Sequence, residues 1–365
     1  MYILPIIVAI VAGIIVFFVL NVDIVNIVVS IIAISIVSLI ISAISINSQT
    51  HCEEVWSGTI VKVKHTEEWD EWHDPVYEDI EITDDKGNII RTERVKIQDG
   101  YWEHHNATNK IKTSDNGWKY VSKSQDGKVK FNDKYPNTDK ELEQYWKIGT
   151  PTASVHSYKN KVQASYSIYK FEDIDLKSYP RLPEYPKDVT NYVTINRIIG
   201  DVPNKQQALD KLAEINSKLN VTVYDKGDKK NKSYKEVNII FVNMGDVSSN
   251  YGSALENYWK GGNKNDFIIA FGSDKDFNIT WVYPITWSES ELLKIKVRDY
   301  MLNLKDVEDF VPIVDDIANM VETDFTRKEF ADFEYLNIEV KTGAKIVIWI
   351  LSIMIFVVAV FVIYR

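Results

Sequence analysis

The sequence predicts a membrane-anchored α+β protein with an N-terminal transmembrane helical hairpin, a β-rich subdomain, an α/β sandwich and a C-terminal transmembrane helix. Three observations predict this architecture. Of the 94 charged residues, only Asp23 and Arg365 lie outside residues 47–345, so both ends of the chain are almost uncharged. Short β-type runs separated by turn signals fill the first half of the charged middle. Helical and strand patterns alternate through its second half. The expected boundaries are 1–46, 47–186, 187–344 and 345–365.

Both ends of the chain are predicted to cross a membrane. A hydrocarbon core of ~30 Å requires ~20 apolar residues in a helix. Residues 3–22, 24–46 and 346–364 each reach that length. The gap at residues 21–23 leaves room only for a tight turn, so the first two stretches are expected to form a hairpin. We therefore expect an integral membrane protein with three spans in the lipid bilayer, with the large middle part on one side.

The charges next to the last span bear on orientation. Lys341 and Lys345 precede it, whereas the opposite side offers Arg365 alone, which favours a cytoplasmic middle part by the positive-inside rule. That rule counts short loops, and long domains translocate largely regardless of charge. The serines within residues 30–45 are either a packing face, because small residues let helices approach closely, or residues that a membrane helix merely tolerates. The second interpretation is the simpler one.

Residues 47–186 are predicted to form antiparallel β-structure. The runs Glu54–His65, Val76–Thr83 and Ile89–Ile97 have strand composition, and the segments between them are rich in turn residues. Asp126-Gly127 is a dipeptide typical of a tight hairpin. Cys52 is the only cysteine, so no intrachain disulfide can form.

Histidine and tryptophan cluster in this β-rich part. Residues 69–74 read Trp-Asp-Glu-Trp-His-Asp, and residues 102–105 read Trp-Glu-His-His. A zinc site needs three or four such groups converging in space, and their spacing matches no diagnostic ligand pattern. Two interpretations remain open: a His/Asp metal or ligand site, and loop residues on a tryptophan-rich, partly exposed sheet. The spacing favours the second.

Residues 187–344 alternate helices with strands. Pro203 can open a helix whose apolar face runs to Leu219, and the continuous apolar run Val237–Val242 is typical of a strand buried on both faces. The remaining predicted elements are a short helix ending at Trp259, strands at Phe267–Phe271 and Ile279–Tyr283, and helices reaching Leu302 and Met320. Helices interleaved with strands predict a sheet covered by helices.

One stretch of this part resembles a known family. Residues 254–266 end in Tyr-Trp-Lys-Gly-Gly-Asn-Lys-Asn-Asp before an apolar strand, as the central motif of the TPM domain does. The upstream helix and strand follow the family's order, so the resemblance covers about residues 190–325. The whole chain is also similar to membrane proteins of bacteria and phages that carry such a domain. The resemblance implies a membrane-anchored, TPM-like α/β domain on the extracytoplasmic, periplasmic side. Some members are described as phosphatases or calcium-binding proteins, and others as acting in repair or assembly of membrane complexes.

The resemblance also implies a site. The loop and the next strand end would flank the family's groove with these binding residues: Gly261, Gly262, Lys264, Asn265, Asp266 and Asp274. Carboxylates at strand ends are suitable oxygen ligands for Ca²⁺, which makes Asp266 and Asp274 the candidate metal ligands. The alternative is that Gly261-Gly262 ends the preceding helix and that Asn265-Asp266 are turn residues.

Two functions follow from these expectations. The first is a non-catalytic interaction or assembly module that contacts membrane or envelope proteins. The second is a phosphatase-like, metal-dependent hydrolase of the TPM type. The sequence contains neither a G-x-S-x-G motif nor a Walker A loop, which favours the first function. A net charge of −10 without a basic stripe argues against a nucleic-acid partner.

Overall fold

The computed structural model describes residues 4–20, 23–132, 135–164, 174–221, 224–225, 232–233, 235–288, 291–327 and 335–361. The predicted turn residues Asn21 and Val22, and the C-terminal Arg365, lie outside these ranges. Within them the chain has a mixed α+β fold with apolar helices near both termini.

The bounds of the elements are as follows. The helices are α1 (Leu4–Leu20), α2 (Ile24–Thr50), α3 (Asp139–Tyr145), α4 (Lys161–Ala164), α5 (Lys205–Val221), α6 (Asn250–Tyr258), α7 (Glu291–Leu302), α8 (Val311–Asp324) and α9 (Thr342–Phe361), with a short 3₁₀ helix at Leu176–Ser178. The strands are β1 (His51–Thr66), β2 (Trp69–His73), β3 (Val76–Thr83), β4 (Ile89–Gln98), β5 (Tyr101–His105), β6 (Thr108–Thr113), β7 (Gly117–Tyr120), β8 (Pro151–Lys159), β9 (Ile198–Ile199), β10 (Tyr224–Asp225), β11 (Lys232–Ser233), β12 (Asn238–Asn243), β13 (Asp266–Ser273) and β14 (Ile279–Thr286).

The apolar helices α1, α2 and α9 pack against one another. By length and composition, α2 and α9 could each cross a membrane, and α1 is apolar but shorter. Four serines of α2 are buried in this packing: Ser30, Ser38, Ser42 and Ser45. Because small side chains let helices approach closely, the structure favours the packing-face interpretation of these serines. Helix α2 continues to Thr50, beyond the predicted end at residue 46, and leads directly into β1.

The first sheet is antiparallel, with strand order β7-β6-β1-β8. The long strand β1 pairs with β8 through its first half and with β6 through its second. Helix α3 covers this sheet, where Leu142 and Trp146 pack with Ile60, Val63 and Ile111. Around the predicted hairpin Asp126-Gly127 the chain forms a turn closed by a single bridge instead of two strands.

Residues 67–107, here called the β-arm, extend the first sheet as a two-stranded ribbon. Its proximal segment is β2 paired with β5, and its distal segment is β3 paired with β4. Pro75, which cannot donate a ladder hydrogen bond, lies at the joint between the two segments. Gly100 lies there too, where a Cβ atom would come within 2.4 Å of Trp72 Cζ2. The strands predicted at Val76–Thr83 and Ile89–Ile97 are present as β3 and β4.

The second sheet has strand order β14-β13-β12-β9, in which β9, β12 and β13 run parallel and β14 runs antiparallel. Alternate residues of its central strands face two different cores. Phe241 and Ile269 pack with helices α5, α7 and α8, whereas Ile240 and Ile268 pack with Leu255 of α6. The apolar runs in the sequence therefore correspond to strands covered by helices on both faces.

The two sheets meet along β1. Three buried side chains of the second part donate hydrogen bonds to β1: Arg197 Nη2 to Ser57 Oγ at 2.7 Å, Ser217 Oγ to the Gly58 carbonyl at 2.6 Å, and Asn265 Nδ2 to the Val55 carbonyl at 2.8 Å. We call this contact the seam. Because buried polar groups need partners, these bonds fix the position of the second sheet against β1.

Candidate functional site

The loop of residues 261–265, which follows α6, lies at the seam. Gly261 and Gly262 follow α6 with φ angles of +76° and +75°, a conformation that glycine adopts without strain. Their N–H groups donate to carbonyls of the preceding helical turn, so the pair ends the helix as the alternative interpretation expects. A Cβ atom on Gly262 would meet Asp266 Oδ2 at 2.9 Å. The glycines therefore allow the loop to fold tightly over the Asp266 carboxylate.

Asp266 is completely buried at the start of β13. Its carboxylate accepts hydrogen bonds from the Asn263 N–H at 2.7 Å and from Asn238 Nδ2 at 2.8 Å. The Tyr185 hydroxyl lies 2.9 and 3.0 Å from its two oxygens. Burial raises the pKa of Asp266 to about 6, and the hydrogen bonds oppose that rise. Burial also raises the pKa of Tyr185 well above its ordinary value, so its hydroxyl stays protonated and donates.

A buried arginine completes this polar cluster. Arg197 Nε donates to Asn238 Oδ1 at 2.6 Å, and Asn238 in turn donates to Asp266. Burial lowers the pKa of Arg197 to about 10, while Tyr185 and Asp266 oppose that shift. The guanidinium therefore stays charged at neutral pH. The cluster runs from Ser57 of β1 through Arg197, Asn238 and Asp266 to Tyr185, and its hydrogen bonds hold the seam together.

The other predicted site residues do not converge with Asp266. Asp274 lies just beyond the opposite end of β13, where its carboxylate accepts hydrogen bonds from the Asp276 and Asn278 N–H groups. Hydrogen bonds from Asn278 hold the pKa of Asp274 below its ordinary value. A strand rises about 3.3 Å per residue, which separates the two carboxylates by more than 20 Å. Asp266 and Asp274 therefore cannot bind the same Ca²⁺ ion. Lys264 places its Nζ 5.0 Å from the centre of the Tyr158 ring, over its face.

Asn265 lines a cavity of about 450 Å³ that opens at the seam. Its Nδ2 is engaged with Val55, while its Oδ1 is buried without a hydrogen-bond partner among the described residues. Trp56, Asp115 and Arg327 form other parts of the wall. Arg327 pairs with the buried Glu54 at 2.9 Å and also with Glu236. The cavity thus contains a hydrogen-bond acceptor without a partner among the described residues, an aromatic side chain in its wall, and charged groups of both signs.

Asp115 of this wall belongs to a Ser–His–Asp set whose order differs from that of a catalytic triad. Ser154 Oγ donates to Asp115 at 2.5 Å and lies 2.9 Å from His156 Nε2. In a catalytic triad the histidine lies between the serine and the aspartate. Here the serine is in the middle, and its hydroxyl is hydrogen-bonded to both Asp115 and His156. Trp56 also stacks on His156, with ring centres 4.0 Å apart.

The β-arm is more exposed than the first sheet that it extends. Every residue of β4 is exposed, as is every residue of β3 except Ile82. Its exposed large apolar and aromatic residues are Trp69, Trp72, Val76, Tyr77, Ile80, Ile89, Ile90, Val95, Ile97, Tyr101 and Trp102. The arm carries 13 acidic and four basic residues, so its net charge is −9, out of −10 for the whole chain. The negative charge of the protein is therefore concentrated on a ribbon that also exposes apolar side chains.

Sequence reasoning missed two features. Arg197, Asn238 and Tyr185 were not singled out, because isolated polar residues before or within apolar strands give no signal in a single sequence. The histidine-rich segments 69–74 and 102–105 were recognised, but the structure places them opposite one another as β2 and β5.

Comparisons of the chain with protein-family models, with curated proteins and with solved structures gave no match.

Proposed function

We propose that this protein is a membrane-anchored, non-catalytic interaction or assembly module that binds a partner protein through its β-arm. The observation that carries the proposal is the arm itself, a ribbon in which each of the four strands exposes large apolar or aromatic side chains. Contiguous exposed apolar surface usually marks an interaction site, and aromatic residues are enriched in protein interfaces.

One face of the distal segment carries three aliphatic side chains. Side chains alternate between the two faces of a strand, so Ile80 and Ile82 project from the same face of β3. Val95 of β4, opposite Glu78 in the register, projects from that face too. Arg91 and Glu93 share that face with Glu78, so the aliphatic side chains lie among charged ones. The opposite face carries Asp79, Arg94 and Thr92. A partner at the first face would therefore contact both the aliphatic side chains and the charged groups between them.

The charge of the arm restricts the class of partner. A net charge of −9 repels nucleic acid and anionic lipid headgroups, and it disfavours pairing with the arm of a second copy. Complementary potentials favour association, so the partner we propose is a protein with a basic surface beside an apolar patch. Membrane or envelope proteins are the expected source of such a surface.

The apolar helices suit an anchoring role. We propose that α1, α2 and α9 are three membrane spans and that the α/β part is a TPM-like domain on the extracytoplasmic side, as the family resemblance implies. Gln49 at the end of α2 donates to the Glu339 carbonyl at 2.9 Å, and the Lys341 N–H donates to Ser45 Oγ at 3.0 Å. These bonds support tethering of the body at both of its ends. The arm between Trp69 and Thr83 spans roughly 50 Å at ~3.3 Å per residue.

Site-specific photo-crosslinking in cells that make the protein tests the proposal. A benzophenone amino acid at Ile80 should give one discrete adduct, and the same probe at Thr92 on the opposite face should give little. The adduct, identified by mass spectrometry and purified, should bind the detergent-solubilised full chain with a Kd that weakens as salt rises. Ile82→Asp combined with Val95→Asp should abolish that binding.

Three outcomes would contradict the proposal. The first is equal crosslinking from Ile80 and Thr92. The second is a purified partner that binds the Ile82→Asp/Val95→Asp variant with the same Kd as the wild type. The third is phosphomonoester hydrolysis by the full chain with Ca²⁺ or Mg²⁺ that Asp266→Asn abolishes, which would support the hydrolase alternative instead.

Protease cleavage at the arm in intact cells would place the body outside, and protection of the arm from the protease would overturn the proposed orientation.

A further inference from the structure

The proximal segment of the β-arm brings four metal-binding side chains to one face. In the antiparallel register of β2 and β5, Glu71 lies directly opposite Glu103. Alternation along each strand puts His73 on the same face as Glu71, and His105 on the same face as Glu103. Each histidine follows the glutamate of its own strand by two positions. The result is a nearly two-fold symmetric His₂Glu₂ set on a two-stranded ribbon.

The ligand atoms of Glu71, Glu103 and His105 converge, and His73 lies beside both glutamates. His73 Nε2 lies 2.8 Å from Glu103 Oε2 and 3.9 Å from Glu71 Oε2, and His105 Nε2 lies 3.1 Å from Glu71 Oε2. One ligand atom each from Glu71, Glu103 and His105 lies within 4.8 Å of the others. Bonds of about 2.0–2.1 Å from a tetrahedral Zn²⁺ ion to nitrogen and oxygen place its ligands about 3.3 Å apart. The measured distances lie on either side of that value.

Aromatic stacking holds both imidazole rings in place. Trp69 stacks on His105 with ring centres 4.2 Å apart and an interplanar angle of 14°. His73 stacks on Tyr101 at 4.7 Å, also at 14°. Restricting these rings before a ligand arrives lowers the entropy lost on binding. Even on an exposed ribbon, the ligand geometry is therefore set by neighbouring side chains of the same face.

The electrostatics favour a cation at this position. Like charges directly opposite one another destabilise a strand pair, and Glu71 faces Glu103 within an arm of net charge −9. A divalent ion between the strands would remove that repulsion. Imidazole nitrogens with carboxylate oxygens suit zinc and other late first-row metals, whereas Ca²⁺ takes oxygen ligands only.

We propose that Glu71, His73, Glu103 and His105 bind one divalent transition-metal ion of the Zn²⁺ class. The ion joins β2 to β5 and so stiffens the base of the arm. This site is independent of partner binding, so its failure would leave the proposed function standing, and the reverse also holds.

The test uses the full chain in detergent micelles and Zn²⁺ as the probe, measured by isothermal titration calorimetry. We expect one Zn²⁺ per chain with a micromolar or lower Kd. His105→Ala and Glu71→Gln should each weaken binding at least tenfold, since even groups that only contact metal ligands typically contribute roughly 10–100-fold to affinity. Glu71→Gln keeps the side-chain shape, so a loss in that variant does not reflect collapse of the ribbon.

The structure supplies a matched control in the same strand. His104 points to the opposite face of β5, where its Nδ1 lies 2.7 Å from Asp70 Oδ1. His104→Ala should leave the Zn²⁺ affinity within twofold of the wild-type value. X-ray absorption of the zinc complex should show both imidazole and carboxylate ligands. Failure of the wild-type chain to bind Zn²⁺, or equal losses in His104→Ala and His105→Ala, would overturn the proposal.

Discussion

The seam and the β-arm use polar side chains in opposite ways. At the seam, Arg197 and Asp266 are buried and are linked by hydrogen bonds through Asn238, and Arg197 also bonds to Ser57 of β1. On the arm, charged residues and isoleucines are exposed to solvent. The strands of the arm contact chiefly one another. This difference shows that Asp266 takes part in the packing of the two sheets, whereas the arm exposes charged and apolar side chains to solvent.

The largest effect is expected from Arg197. Arg197→Met leaves the Asp266 carboxylate without its nearby cation and removes the donor to Asn238 and Ser57. Removing one member of a buried charged cluster typically costs about 3–5 kcal/mol, which denaturant unfolding of the full chain in detergent can measure.

Arg298→Met is the matched control for that experiment. Arg298 is an exposed arginine on α7 that pairs with the adjacent Asp299. Exposed ion pairs contribute about 0–1 kcal/mol, so this variant should unfold almost as the wild type does. Equal losses in the two variants would mean that the Arg197 cluster does not stabilise the seam.

A smaller, pH-dependent effect is expected from Asp266. Its folded-state pKa of about 6 lies above the ordinary value of 3.8, so the folded protein binds more protons than the unfolded chain between those pH values. The contribution of Asp266 to stability therefore falls as pH rises through that window. Against Asp266→Asn, the wild type should lose up to about 3 kcal/mol of relative stability between pH 4 and pH 7.

Asp274→Asn is the control with the opposite sign. The pKa of Asp274 is lowered in the folded state, so its contribution is present at neutral pH and is lost as the solution becomes acidic. Unfolding curves at several pH values should therefore separate the two aspartates by the direction of their pH dependence. Identical directions would mean that Asp266 is not desolvated.

The same two regions show how far the sequence could be interpreted. The run Val237–Val242 predicted a buried strand, and β12 is buried along its whole length, because burial on both faces requires apolar residues at consecutive positions. The strands β3 and β4 were predicted from composition and turn residues alone. Local patterns of this kind need no knowledge of distant residues.

Long-range pairing could not be predicted in the same way. Asn265 bonds to Val55, 210 positions earlier, so nothing near the loop indicates that it is buried. Glu71 meets His105 across 34 positions through the strand register. A shift of one residue would turn every side chain to the other face, and ligand spacing in a single strand cannot determine that register. The site residues were thus recognisable by type but not by partner.

The smallest effect is expected on the arm, from a substitution that tests the comparison directly. Ile80 on β3 is 45% exposed, and Ile240 on β12 is completely buried. Ile240→Ala should cost about 2–5 kcal/mol, because it removes buried methyl groups and leaves a cavity. Ile80→Ala removes the same atoms from a solvated face and should change the free energy of unfolding by less than about 0.5 kcal/mol. Denaturant titration of both variants measures the two losses under one set of conditions. A loss of several kcal/mol in Ile80→Ala would mean that this face of β3 packs against another part of the protein. That result would contradict the proposal that the arm binds a partner.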